Sequence, residues 1–117
     1  MRPAKVKVMG RTFPIKYING PPLDAGDNGR AEIDTMAIYV REGLEMQLER
    51  STVLHETLHV ISDLIGLRLT EKQIEGLETG IYQVNSDNPR FFASIRQTKE
   101  SRKERALSGD VESTPVA

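Results

Sequence analysis

Cysteine is missing altogether from these 117 residues. That excludes disulfides and every zinc site built on thiolates. Long apolar runs are missing as well, and nothing approaches the roughly 20 residues a membrane span requires. The opening Met1-Arg2-Pro3-Ala4-Lys5-Val6-Lys7 has no apolar segment of an export signal. These absences lead to the expectation of a cytoplasmic protein with no membrane partner. Charge of one sign is not in excess either. The formal net charge is −1 with 28% charged residues, which argues against nucleic-acid binding as the main task. Histidine is the last scarcity, with two in the whole chain.

Both histidines fall in one stretch, His55-Glu56-Thr57-Leu58-His59. This is H-E-x-x-H, the metalloprotease helix signature, with the glutamate as general base. At 3.6 residues per turn, His55 and His59 stand about 40° apart in projection and roughly 6 Å apart along the axis, so both imidazoles reach one ion. Glu56 lies at the edge of that face, where its carboxylate meets a water rather than the metal. Leu54, Leu58, Ile61 and Ile65 make an apolar stripe that Val53, Val60 and Leu64 widen. A helix so apolar is buried, and buried histidines need partners.

Around this helix the pattern is α+β, with a small N-terminal antiparallel sheet ahead of two helices. Residues 4–9 alternate as a half-buried strand, and residues 12–18 form its hairpin partner with Pro14 at an edge or bulge. A polar loop runs to Gly29, and Asp24 and Asp27 in it read as turn formers. Residues 30–34 and 37–40 are two short strands about a turn at Thr35-Met36. The main helix starts between Leu44 and Ser51 and stops at a Gly66 cap. Thr70 caps a second helix reaching about Asn85, with Ile74, Leu77, Ile81 and Val84 as its apolar stripe and Gly76, Thr79 and Gly80 as a small-residue flank. Pro89 starts a third helix anchored to the core by Phe91, Phe92 and Ile95. Residues 1–96 are read as the folded domain and 97–117 as a polar, disordered tail. Arg96, Lys99, Arg102, Lys103 and Arg105 form a basic run, but Glu100 and Glu104 interleave, so it reads as a solvated helix end.

A catalytic zinc needs a third protein ligand. Without further histidine or cysteine that ligand is a carboxylate, and Glu71, Glu75 and Glu78 share an arc of about 60° on the second helix. Antiparallel packing about the Gly66–Thr70 turn brings residues 75–82 level with the histidines. That favours Glu75 or Glu78 and makes Glu71 a stretch. Asp63 reads as a solvated helix position.

The run from His55 to Pro89 resembles the small gluzincin-like metallopeptidases of phages and mobile elements. The resemblance rests on His55-Glu56-Thr57-Leu58-His59, on Glu75-Gly76-Leu77-Glu78-Thr79-Gly80-Ile81-Tyr82 and on Asn88-Pro89, about a third of the chain. It implies a minimal zincin-like domain, Glu75 as third ligand and a phage-encoded protein in the host cytoplasm. The expected chemistry is zinc-dependent peptide hydrolysis with Glu56 as general base. Tyr82 is a candidate oxyanion donor. Ile38-Tyr39-Val40 is a candidate edge for strand addition by a protein or peptide substrate. The alternative is a catalytically silent, zinc-stabilised protein-binding module. Glu56 speaks against it, since zinc binding alone does not require that residue.

Overall fold

The computed structural model describes residues 2–96. The sequence between 97 and 117, including the basic run from Lys99 onward, lies outside the described residues. The architecture is α+β, in the order β1 (Lys5–Val8), β2 (Arg11–Ile18), β3 (Gly29–Glu32), β4 (Ala37–Arg41), α1 (Met46–Ile65), α2 (Glu71–Asp87) and α3 (Phe91–Ser94). Close contacts divide the chain into two units, Met1–Gln83 and Val84–Ala117, with the boundary inside α2. Among the described residues no helix is long and apolar enough to cross a membrane.

In the first unit the four strands form one sheet in the order β1-β2-β4-β3. β1 and β2 pair antiparallel as a hairpin, Val6 opposite Phe13. The expected antiparallel sheet is in fact mixed. β4 lies parallel to β2, with Ile15 opposite Ile38, and antiparallel to β3, with Ala31 opposite Ile38. Ile38-Tyr39-Val40 is therefore an inner strand, paired on both sides. Its main-chain groups are already in use, so the proposed strand addition to it is ruled out. The free edge near α1 belongs to β3. Pro14 is tolerated because the β4 ladder begins at Ile15, one residue later, so the missing N–H costs no bond on that side.

The core is the sheet face beneath α1. Phe13, Ile38, Val40 and Val60 are fully buried, with Val8 and Ile15 nearly so. Each contributes about 1.5–3 kcal/mol of apolar burial. Val53, Val60, Ile61 and Leu64 of α1 pack into this cluster. The helix face turned to the sheet is thus one step away from the expected stripe, and Ile65 is 48% exposed. The residue completing the inward face is Glu56, buried at 7% exposure.

Two caps fix the helices that carry the site. Gly66 is left-handed at φ 72°, and the N–H groups of Gly66 and Leu67 bond back to the carbonyls of Asp63 and Ser62, closing α1. Arg68, also left-handed at φ 56°, reverses the chain, and the Leu69 N–H donates to the buried Ser62 hydroxyl at 2.9 Å. Thr70 then starts α2 through a reciprocal cap. Its hydroxyl accepts from the Gln73 N–H at 3.1 Å, while the Gln73 side chain accepts from the Thr70 N–H at 2.9 Å.

Along α2 only Ile74 is fully buried, and Leu77 is 44% exposed. A Cβ added at Gly76 or Gly80 would meet nothing within 4 Å, so the small-residue flank serves no close helix approach. In the second unit, the Phe91 and Phe92 rings meet edge to face at 5.3 Å between centroids. Neither they nor Ile95, expected to be core anchors, is buried.

Candidate metal centre

His55 and His59 lie one turn apart on α1 with ring centroids 5.0 Å apart. The Nε2 atoms of both rings point to the same carboxylate, that of Glu71. His55 Nε2 is 2.8 Å from Glu71 Oε2, and His59 Nε2 is 2.9 Å from Glu71 Oε1. One ligand atom from each of the three lies within 4.8 Å of the other two. The opposite nitrogen of His55, Nδ1, donates to Glu78 Oε1 at 2.8 Å. Glu78 thereby fixes the ring's orientation and leaves Nε2 turned inward, as outer carboxylates do for metal-bound histidines.

The carboxylate that reaches the histidines is Glu71 rather than Glu75. The reason is the path of the turn. The bonds of Leu67 and Leu69 to Ser62 fold the connection back along α1, so α2 begins about level with Ser62. From there Glu71 is within one helical turn of His59. Glu75 stands on the wall of the same cavity, without a bond to either histidine. Tyr82 lines a neighbouring cavity that includes Glu78 but neither histidine. Asp63 is exposed and bonds to neither histidine.

The cavity in front of His55 measures about 520 Å³. Glu56 opens onto it and has no hydrogen-bond partner among the described residues. Burial, the largest influence, raises the Glu56 pKa. His55 and His59 oppose the rise, and Glu71 and Asp27 add to it. For His55, burial alone would lower the pKa. The hydrogen bond to Glu78 and the charges of Glu71 and Glu56 outweigh it, and the net shift is upward.

Gly29 sets how close β3 comes to this helix. A Cβ there would stand 2.7 Å from Thr52 Cγ2 and 3.0 Å from both Glu56 Cγ and the Tyr39 carbonyl oxygen. Only glycine lets the strand press on the Glu56 stem. The preceding loop is a turn, as its composition predicts, with Asp24 and Asp27 bonded to each other through main chain and side chain. Arg41 clamps it by donating to the carbonyls of Asp27 at 2.7 Å and Asp24 at 2.9 Å. Asp27, read from sequence only as a turn former, also lines the cavity.

The donor set suits a borderline cation such as zinc: two imidazole nitrogens and a carboxylate, with no thiolate. Ligand atoms around a tetrahedral zinc stand roughly 3.3 Å apart. The His55 and His59 Nε2 atoms stand 2.8 and 2.9 Å from the two oxygens of Glu71, with donors of all three residues within 4.8 Å of one another, so side-chain torsions can bring them round one ion. No family model, curated protein or solved structure matches this chain. Its function is therefore read from its own residues.

Proposed function

We propose that this protein is a zinc-dependent metallopeptidase of the minimal zincin-like kind, with zinc held by His55, His59 and Glu71. When bound, zinc would polarise the scissile carbonyl and acidify a water molecule. Glu56 takes the proton of that water as general base and passes it to the departing amine as general acid. Glu78 holds His55 in the tautomer that presents Nε2. Gly29 and Thr52 keep the Glu56 stem against β3.

One observation carries the reading. Glu56 is 7% exposed and has no hydrogen-bond partner among the described residues, yet it lines the cavity that His55 and Glu71 share. A buried carboxylate without a partner costs stability, and nothing in the packing requires it. A zinc-stabilised binding module would gain from an apolar residue there. A pKa pushed upward by burial suits a group that must both accept and return a proton.

The test is incubation of the zinc-loaded protein with an unbiased peptide mixture, products being read by mass spectrometry, beside Glu56→Gln. New termini that appear with the parent protein and vanish with the variant support the peptidase. No cleavage by protein shown to carry zinc would favour the silent module.

A further inference from the structure

We propose that the cavity beside the metal centre selects cationic peptides, receiving a lysine or arginine side chain near the scissile bond between Asp27 and Glu75. The inference rests on the peptidase reading and names its substrate class.

Among the described residues five carboxylates line the cavity, those of Asp27, Glu56, Glu71, Glu75 and Glu78, and no lysine or arginine does. Three of them have tasks already: Glu71 faces both histidines, Glu78 holds His55, and Glu56 stands at the reacting water. Glu75 is left over. It makes no hydrogen bond or ion pair among the described residues, although acidic side chains elsewhere are paired, as Glu42 and Glu49 are by Arg2 and Glu32 by Arg30. Across the cavity Asp27 uses one oxygen on the Asp24 N–H and keeps acceptor capacity on the other. The nearby base that could have neutralised this wall, Arg41, gives its donors to main-chain carbonyls instead.

Even with a dication at the histidines the wall stays negative, so an acidic side chain is repelled and a basic one attracted. The buried, unpartnered Glu56 opens into the same space and marks it as a place where a polar ligand belongs. The apolar stem of a lysine can lie along Leu48 and the methyl of Thr79 while its ammonium reaches the carboxylates.

The experiment uses the full chain as Glu56→Gln, loaded with zinc so that binding is read without turnover. Three fluorescent peptide series of equal length are offered, with Lys, Gln or Glu at alternate positions. The Lys series should bind about tenfold more tightly than the Gln series, and the Glu series least. The preference should shrink as salt rises. Adding Glu75→Gln should remove about threefold of the Lys preference, and Asp27→Asn a similar part, with zinc content unchanged. Equal binding of the Lys and Glu series would overturn the inference, as would a preference indifferent to both substitutions. Loss of zinc from the Glu75 variant would also overturn it, by making Glu75 a ligand. An intact Lys preference beside a zinc-loaded parent protein, with Glu56 in place, that cleaves none of the three series would instead sink the peptidase reading and leave the recognition standing.

Discussion

Replacing Glu56 by glutamine should abolish turnover and at the same time make the metal-free protein more stable. The carboxylate is 7% exposed and has no hydrogen-bond partner among the described residues, and an effective penalty of several kcal/mol attends a buried unpaired ion. His55 and His59 return part of it through their attraction. Removing the charge should therefore yield a net gain of about 1–2 kcal/mol. For a domain of this size that raises the melting temperature by roughly 4–8 °C per kcal/mol. The pH dependence gives the sign. An acid whose pKa is raised in the fold destabilises it when ionised; the cost is absent below the unfolded-state pKa and complete above the folded-state value. The gain should thus be full above the raised folded-state pKa and fade as pH falls through it toward the ordinary carboxylate range. Urea denaturation of metal-free parent and variant across that range measures it. A variant no more stable than its parent at any pH in that range, or a gain independent of pH, would refute the reasoning.

Gly29→Ala forces a Cβ to 2.7 Å from Thr52 Cγ2, so it should cost about 1–3 kcal/mol in urea denaturation and lower turnover by displacing the Glu56 stem; an unchanged midpoint would contradict the close approach. Glu78→Ala removes the acceptor from His55 Nδ1 and should weaken zinc binding about 10–100-fold, by competition with a chromophoric chelator, without abolishing it. Zinc uptake should fall with acidification from a higher pH than an ordinary histidine would give. The raised His55 pKa means its proton competes with the metal earlier. The same shift should stabilise the metal-free protein below the unfolded-state histidine pKa and cease to do so as pH rises through the folded value. Titrations of both forms over that window should slope in opposite directions.

Much of this was legible in the residues, and the rest failed for definite reasons. The alternation in β1 and β2, the Gly66 stop and the Thr70 start are local signals, and the elements form where they place them. The histidine spacing is likewise local, and helical geometry alone brings both rings to one side. The parallel pairing of β4 with β2 is not local: Ala37, Ile38 and Val40 are all buried, but a short apolar run does not name the strand beside it. The choice of Glu71 over Glu75 turned on two bonds to Ser62 that pull the turn back along α1. A projection of two ideal helices contains no such term. Gly29 reads as loop composition because a glycine looks the same in sequence whether it turns the chain or admits a neighbour. Asp27 hides its second role for a similar reason, since a turn former can also face a cavity.

The most direct test of the account is the zinc content of the purified protein beside His55→Ala, Glu71→Ala and Glu75→Ala, measured by elemental analysis after dialysis. The account predicts about one zinc per chain, lost with His55 or Glu71 and kept without Glu75. No zinc in the parent even after zinc is offered, or zinc retained without Glu71, would contradict it.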